Sequence, residues 1–296
     1  MTGQDTEWPA GLDGPLRVKP GTAVRLPDGF DPGDRLGLHK GEDGARLLRQ
    51  GRELLTEYQR RLAAQDTYEV LMVLQAIDAG GKDGTIRHVM SGVNPQGVAV
   101  SSFKAPSAEE LGHDYLWRHA RVHPQDLNRE RLPPQARGPG VWKRRYREIN
   151  DWEHYLTGNG IAVVKLFLNV SKEEQRTRFL KRIDRPEKNW KFSAADARER
   201  RYWDDYQQAY SQMLSNTSTE WAPWHVLPAD HKWLTRACAA AVIAAALIEI
   251  DPHYPVTDDA ARAELGKAKA ELEAEAPPGA PADPAAAKPR ITKTED

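Results

Sequence analysis

The segment at residues 70–90, VLMVLQAIDAGGKDGTIRHVM, changes abruptly from an apolar run to a glycine-rich turn and then to charged residues. The apolar part predicts a strand over residues 68–77, because a short apolar run that ends in glycines is typical of a strand buried on both faces. Strands of that kind occur in parallel sheets that helices cover on both sides. This segment therefore restricts the chain to an α/β fold.

Strand and helix patterns alternate along the rest of the chain. Further strands are predicted at residues 98–103, 161–170 and 224–227. Helices are predicted at residues 47–64, 85–90, 107–119, 142–156, 172–185, 193–217 and 232–250. The helices are indicated by apolar residues at helical spacing or by residues that commonly begin a helix. The alternation predicts a parallel sheet between two helical layers.

Composition divides the chain into three segments. Residues 1–45 are rich in Gly, Pro and Asp without a sustained period, which predicts an irregular N-terminal arm packed on the body. Residues 46–257 carry the alternating pattern of one domain. Residues 258–296 contain five prolines and no aromatic residue, and their Ala, Glu, Lys and Pro content predicts a disordered tail.

Charge and cysteine content indicate the environment of the protein. A net charge of −1 gives no overall attraction to nucleic acid or to a membrane, so we expect neither as a partner. The single cysteine, Cys238, is typical of a reducing compartment, and residues 1–14 lack the apolar core of a signal peptide. The most apolar run, residues 237–250, is too short to span a bilayer and predicts a buried helix. These features predict a cytoplasmic protein.

The glycine-rich turn follows the first predicted strand, at the sheet edge where α/β folds bind ligands. Gly80, Gly81 and Gly84 would allow backbone N–H groups to approach a phosphate closely, and the helix that follows adds a partial positive charge. Lys82 adds a full positive charge at the same point. Two interpretations are open: a phosphate-binding loop, or a tight strand-to-helix turn whose lysine faces solvent.

The turn matches the phosphate-loop pattern G-x-x-x-x-G-K-[ST] only in part. Ala76 occupies the position of the first glycine, and Asp83 replaces the hydroxyl residue that would contact Mg²⁺. The carboxylates of Asp78 and Asp83 would repel a phosphate unless a metal ion lay between them, and they are suitable ligands for Mg²⁺. A functional loop therefore requires Mg²⁺, with Asp78 and Asp83 as its candidate ligands.

A second phosphate-seeking feature lies at residues 172–201, where eleven basic residues exceed six acidic ones. Arg178, Arg182 and Arg185 fall at spacings of four and three residues, on one face of a helix. Guanidinium groups are planar and permanently charged, and both properties suit phosphate oxygens. An average helix of this kind is a solvated surface with internal ion pairs. Together with the glycine loop on one parallel sheet, however, it favours a kinase.

Several long strings resemble the family-2 polyphosphate kinases. RPEKNWKFSAADARERRYWDDYQQAY and TSTEWAPWHVLPADHKW, at residues 185–210 and 217–233, resemble the lid and C-terminal region of that family. LQAIDAGGKDGTIRHV, INDWEHYLTGNG and VVKLFLNVSKEEQRTRFLKRIDRPEKNWKFS, at residues 74–89, 149–160 and 163–193, resemble other parts of it. The resemblance covers roughly residues 36–253 in order, and the strings include several rare tryptophan positions.

The resemblance implies a P-loop kinase-like α/β fold, a three-layer sandwich with a parallel sheet and a helical lid at about residues 178–206. It implies phosphoryl transfer between inorganic polyphosphate and a nucleotide, either AMP or ADP, with Mg²⁺. The implied catalytic residues are Asp78, Lys82, Asp83, Arg178 and Arg182. The implied phosphate- and nucleotide-binding residues are Gly80, Gly81, Gly84, Thr85, Arg185, Lys188 and Lys191. Similar enzymes are oligomeric, so a homo-oligomer, a dimer or a tetramer, is expected.

The chain departs from the family in one stretch. The family has a strand that ends in a Walker B element between the helices at EELGHDYLWR and INDWE. No apolar run between His119 and Trp142 matches it. The sequence therefore predicts that this strand is missing, and with it an acidic or amide group near Mg²⁺. Two alternatives stay open: a catalytically impaired member that binds polyphosphate or nucleotide, and an ATP-dependent small-molecule kinase.

Overall fold

In this computed structural model, residues 13–102, 140–191 and 194–283 are described. The helices are α1 (Asp13–Leu16), α2 (Ala45–Gln65), α3 (Lys82–Val89), α4 (Val141–Gly158), α5 (Lys172–Ile183), α6 (Ala194–Glu199), α7 (Trp203–Thr217), α8 (Lys232–Ile250) and α9 (Asp259–Ala274). The strands are β1 (Glu69–Gln75), β2 (Ile161–Asn169) and β3 (Trp224–Pro228). Short helical turns lie at Lys40–Gly44, Pro95–Gly97, Pro186–Lys191 and Arg200–Tyr202.

The three strands form one parallel sheet in the order β1-β2-β3. Leu71 of β1 pairs with Val163 of β2, and Phe167 of β2 pairs with Val226 of β3. Because all three strands run in the same direction, the segments that follow β1, β2 and β3 begin at the same edge of the sheet. The predictions of a parallel sheet and of these three strands are confirmed.

Helices cover both faces of the sheet. Alternate residues of β2 point to opposite faces, so this strand contributes to the core on each side. Leu166 and Leu168 lie in a core beneath α8, and α2 and α3 pack against α8. Phe167 lies in the opposite core with Leu214 of α7, and α4 packs on that side against β2 and α7. The three-layer α/β architecture expected from the sequence is therefore present.

Helix α8 forms the centre of the larger core. Its apolar residues, Cys238 among them, are mostly buried. By length and composition α8 could cross a membrane, since it begins five residues before the apolar run, but most of it is buried inside the domain. The sequence prediction of a buried helix is confirmed.

The stretch after α3 differs from its prediction. Residues 98–102, predicted to lie in a strand at 98–103, form neither a helix nor a strand. Val100 is 63% exposed there. The predicted helix at 107–119 and the stretch predicted to lack the Walker B strand fall within residues 103–139, outside the described residues.

The N-terminal segment packs on the body, as predicted for an irregular arm. Leu16, Val18 and Leu26 are buried, and the N–H of Val18 donates to the carbonyl of Trp224 at 2.8 Å. Arg17 forms an isolated antiparallel bridge with His225 of β3. Within residues 13–44 the described part of this segment contains little regular structure, because its Gly and Pro residues favour turns.

The chain divides into two compact units, residues 1–253 and 254–296. The second unit contains α9, and this helix departs from the predicted disorder over Asp259–Ala274. The Asp258 side chain caps α9 by accepting the N–H of Ala261 at 2.7 Å, and most of the helix consists of Ala, Glu and Lys, which are strong helix formers. None of its residues is buried.

Candidate phosphate-transfer site

The glycine-rich loop between β1 and α3 has a backbone that requires glycine at two positions. A Cβ at Gly80 would lie 2.5 Å from the Cβ of Ala76, so a side chain cannot be accommodated there. Gly81 has φ of 108°, a region that L-amino acids rarely adopt. The N–H of Thr85 then donates to the Gly81 carbonyl at 3.0 Å, which opens α3. The loop is a compact turn at the carboxyl end of β1.

Lys82 folds back over this turn and does not extend into solvent. Its Nζ donates to the Ala76 carbonyl at 2.7 Å. Burial lowers the pKa of Lys82, while the nearby carboxylates of Asp78 and Asp83 oppose that shift. The loop therefore presents a half-buried cation that two carboxylates influence electrostatically. The Lys82 side chain therefore does not face solvent, as the alternative of a tight turn had it.

Arg178 of α5 also holds the loop, and its side chain is 6% exposed. Its Nη1 donates to the carbonyls of Ala79 and Gly80, each at 2.9 Å, and its Nη2 donates to the Ala229 carbonyl. The Gly81 N–H belongs to the same trans peptide as the Gly80 carbonyl, so it points away from Arg178. Arg178 thereby positions the loop, a role that the sequence does not predict.

Two further side chains of α5 contact the same loop. Gln175 donates through Nε2 to the Asp78 carbonyl at 2.9 Å, and it accepts from Arg200 at 2.6 Å. Arg182 lies 3.4 Å from the Asp78 carboxylate. Gln175, Arg178 and Arg182 are spaced three and four residues apart, so they share one helical face. The sequence misses Gln175, because a glutamine on a basic helix carries no distinctive signal.

The structure brings together most of the predicted site residues. The residues at or next to the loop are Asp78, Gly80, Gly81, Lys82, Asp83, Gly84, Thr85, Arg178 and Arg182. Arg185 is exposed beyond the end of α5. Lys188 and Lys191 lie in the turn Pro186–Lys191, and their side chains are outside the described set. The predicted lid, about residues 178–206, runs from α5 through this turn and α6 to the start of α7.

The sequence also misses three cations beside the loop. Arg236 of α8 places Nη2 3.9 Å from the Cβ position of Gly84. Burial, followed by the charge of Arg87 in α3, lowers the pKa of Arg236. Burial, followed by Arg178, lowers the pKa of Lys232 at the start of α8. The sequence contains one signal for these residues. A helix N-terminus disfavours cations, yet Lys232 and Arg236 lie four residues apart in the first turns of α8.

The carboxylates at the loop suit a magnesium ion. Among the described residues, no group of three or more His, Cys, Asp or Glu side chains could enclose a metal by itself. Mg²⁺ is commonly held by one or two carboxylates together with substrate phosphates and water. Asp78 and Asp83, beside Lys82, provide that number of oxygen ligands. The residues present therefore fit this ion.

Comparison with known families gives one match that spans most of the chain. The sequence model described as Polyphosphate kinase 2 matches residues 37–128 and 136–253. Together these ranges include the glycine loop, α5 and α8.

Individual proteins show the same similarity. The chain is 47% identical over 250 residues to an ADP-polyphosphate phosphotransferase of Rhodopseudomonas palustris, covering 76% of this chain and 86% of that protein. It is 41% identical over 261 residues to an AMP/ADP-polyphosphate phosphotransferase of Meiothermus ruber, covering 82% and 96%. The crystal structure of Polyphosphate Kinase 2 from Arthrobacter aurescens superposes with a TM-score of 0.71 and 36% identity, covering 85% of this chain and 99% of that one.

Proposed function

The chain belongs to the polyphosphate kinase 2 family, and from that premise we propose that it transfers a phosphoryl group between inorganic polyphosphate and a nucleotide. The nucleotide is a nucleoside mono- or diphosphate, AMP or ADP, by analogy with the relatives named for these substrates. The observation that carries the proposal is the loop itself. Arg178 fixes its carbonyls, and the Lys82 ammonium lies within the electrostatic influence of Asp78 and Asp83.

The proposed chemistry depends on position and charge. Phosphoryl transfer requires in-line placement of donor and acceptor and neutralisation of phosphate charge, with little covalent chemistry by the protein. The Lys82 ammonium would contact the transferring phosphoryl group, and the Gly81 N–H would donate to a phosphate oxygen. Arg182, which pairs with Asp78, would move to phosphate when substrate binds. The Gly81 N–H is fixed on the loop, and a fixed donor stabilises the transition state without reorganisation.

Asp78 and Asp83 would hold a magnesium ion directly or through water. When bound, Mg²⁺ neutralises phosphate charge and orients the phosphate oxygens. In that state the Asp78 carboxylate would exchange Arg182 for the metal, so its contact with Arg182 is a feature of the free protein. Removal of divalent ions with a chelator is expected to abolish product formation, and Mg²⁺ is expected to restore it.

The segment that follows α5 would act as a lid over the substrates. We assign Arg185, Lys188 and Lys191 to phosphate binding in the closed state. Closure would exclude water and so prevent hydrolysis of the donor. This proposal predicts that replacing any of the three cations impairs kcat or KM. The free energy of unfolding of the free protein should change little.

The cellular setting follows by analogy. We propose a cytoplasmic enzyme that assembles as a dimer or a tetramer. Size-exclusion chromatography with light scattering measures the assembly directly, and a monomer at micromolar concentration would contradict it.

The direct test is incubation of the protein with ADP or AMP, Mg²⁺ and polyphosphate, with ATP or ADP as the measured product. Lys82→Ala is expected to lower kcat by about 10²–10³-fold, since it removes a preorganised charge from the transition state. Lys19→Ala is the matched control, because Lys19 is an exposed lysine of the N-terminal arm.

A folded wild-type protein that binds polyphosphate but forms no product with any nucleotide would indicate a binding protein. Product formation from ATP and a small-molecule acceptor alone would indicate an ATP-dependent kinase.

A further inference from the structure

We propose that the open edge of strand β1 is an interface at which two copies of this chain pair their β1 strands. The strands run antiparallel about a two-fold axis beside Met72, and the two sheets become one continuous sheet. This interface goes beyond the proposed transfer reaction and does not depend on it. It assigns a surface to the assembly that analogy alone suggests.

Strand β1 has an exposed edge. Within residues 13–102, 140–191 and 194–283, β1 ends the sheet and pairs with β2 alone. Its residues from Val70 to Gln75 are half-buried, whereas β2 is buried from Val163 onwards and β3 is buried throughout. A strand in the middle of a sheet that helices cover on both sides is buried on both faces. β1 is therefore an apolar strand in a half-exposed place.

One hydrogen bond fixes the direction of the backbone groups of β1. The N–H of Glu69 donates to the Gly160 carbonyl at 3.1 Å, so Glu69 directs its polar backbone groups toward β2. Successive residues of a strand direct these groups to alternate sides. Val70, Met72 and Leu74 therefore direct both N–H and C=O away from β2. Within the described part of the chain, no group bonds to them there.

The opposite edge of the sheet has a cover that β1 lacks. At β3, the Val18 N–H of the N-terminal arm donates to the Trp224 carbonyl at 2.8 Å, and Arg17 forms an antiparallel bridge with His225. Proteins commonly protect an edge strand with such a cover, with proline or with lysine. The sequence of β1, EVLMVLQ, contains neither proline nor lysine. Its edge is therefore a template for a further strand.

A second copy of β1 fits this edge over its whole length. Pairing about Met72 sets Met72 opposite its own copy and Val70 opposite Leu74, so outward-directed groups meet each other. Each such pair exchanges two hydrogen bonds, which gives about six bonds between the copies. Glu69 then faces the neutral Gln75, so no like charges meet. A shift by one residue would set outward-directed groups against groups already bonded to β2.

The side chains of β1 agree with this pairing. Val70, Met72 and Leu74 pack against the core beneath α8, and Val73 packs against the opposite core. In the paired strands, apolar residues of the two copies lie opposite one another on each face, and burial of their half-exposed surface favours association. Because each copy uses the same surface, the interface closes at two chains.

Cysteine cross-linking tests the two-fold register. In a hydrogen-bonded antiparallel pair the two Cα atoms lie about 5.5 Å apart, within the range that a disulfide spans. Met72→Cys should therefore link two chains under a mild oxidant. Leu74→Cys is the matched control on the same strand and face, because its two copies would lie roughly 14 Å apart. Met72→Cys should give about tenfold more covalent dimer than the control, and the native Cys238 is buried in both variants.

Hydrogen exchange of the wild type tests the same surface without a substitution. The amides of Val70, Met72 and Leu74 should exchange about tenfold more slowly in the dimer than after dilution to the monomer, because pairing alone protects them. The amides of Leu71 and Val73 bond to β2 and should exchange slowly at both concentrations. If Met72→Cys fails to fold, this measurement decides.

Three results would overturn the interface. The first is an equal yield of covalent dimer from Met72→Cys and Leu74→Cys, with outward-directed amides that exchange alike at both concentrations. The second is slow exchange of those amides in the monomer, which would show that the edge is covered within one chain. The third is a wild type that stays monomeric at micromolar concentration in light scattering.

These outcomes are separate from those of the proposed function. A wild type that dimerises but gives the first or second result assembles through another surface, so the proposed assembly stands and this interface fails. Product formation from polyphosphate and ADP is measured in its own assay, and the proposed transfer reaction depends on that assay alone.

Discussion

At the scale of single residues, Lys82 has two competing influences on its charge. Burial favours the neutral amine, whereas Asp78 and Asp83 favour the ammonium, and the net result is a pKa below the ordinary value of 10.5. Desolvation is therefore the larger influence in the free protein. A bound phosphate adds negative charge beside Nζ and should reverse that balance.

This balance predicts an alkaline dependence of stability. Between the lowered pKa of folded Lys82 and 10.5, the unfolded chain binds more protons than the folded protein. Stability rises with pH wherever the unfolded state binds more protons, so the contribution of Lys82 to the free energy of unfolding increases across that interval. Urea unfolding of the wild type and of Lys82→Met, over the same alkaline range, measures the difference. A wild-type advantage that shrinks as pH rises would contradict the prediction.

At the scale of elements, α5 acts as a rigid support for the glycine loop. Its residues contact loop carbonyls of Asp78, Ala79 and Gly80, while its first turn is capped by Ser171, which accepts the Glu174 N–H at 3.1 Å. The loop geometry is therefore set by a helix that follows a different strand. This coupling of β1 to β2 explains how a short loop of small residues keeps one conformation.

Arg178→Lys tests the support directly. A lysine cannot reproduce the forked donors, so the carbonyls of Ala79, Gly80 and Ala229 lose partners in a buried place. We expect a loss of about 1.5–3 kcal/mol in the free energy of unfolding, the range for hydrogen bonds to a charged group. A misplaced loop should also lower kcat by about a hundredfold.

The control for this variant lies two residues earlier on the same helix. Arg176 is exposed and pairs with Glu173 at 2.7 Å, so Arg176→Lys should change neither quantity. Urea unfolding and single-turnover kinetics measure the two effects. Equal behaviour of the two variants would show that Arg178 does not position the loop.

A second element-scale feature is the buried ion pair between β2 and α4. Lys165 donates to Glu153 at 2.6 Å and to the Thr217 carbonyl, and both charged side chains are almost completely buried. Glu153→Gln should cost about 3–5 kcal/mol, because it leaves a buried ammonium without its counter-ion. The double variant Glu153→Leu with Lys165→Met should cost less than Glu153→Gln alone, since no buried charge remains. Chemical denaturation of both variants provides the comparison, and a larger loss in the double variant would contradict it.

At the scale of the whole molecule, the chain consists of a catalytic body and a C-terminal extension that contribute differently to stability. The body, residues 1–253, contains the sheet, both cores and the glycine loop. The extension, residues 254–296, contains α9, none of whose residues is buried. Burial of apolar surface is the main source of stability, so the extension contributes little.

Truncation after residue 257 tests this division. The shortened chain should melt within about 2 °C of the full chain, because a change in unfolding free energy close to zero gives a small shift. Its kcat with polyphosphate and ADP should also be unchanged. Differential scanning calorimetry and the product assay measure both properties. A marked loss of stability would show that the extension contributes to the stability of the body.

Much of the fold could be predicted because periodic burial leaves a pattern within one segment. β2 and α8 are examples, since a continuous apolar run in the sequence identifies each of them. The strand predicted at 98–103 is absent over its described residues, 98–102, because strand formation also depends on groups outside the segment. Val98 and Val100 favour extended backbone, but only pairing with another strand turns that preference into a sheet.

The sequence by itself determined the class of fold, the position of the glycine loop and the chemistry of its lysine and carboxylates. These depend on residue types and on spacing within short segments. Only the tertiary structure decided that Arg178 holds the loop carbonyls from 99 residues away and that Arg236 stands beside Gly84. The physical reason is that a side chain's role depends on which groups face it after the chain folds, and segments distant in sequence supply those groups.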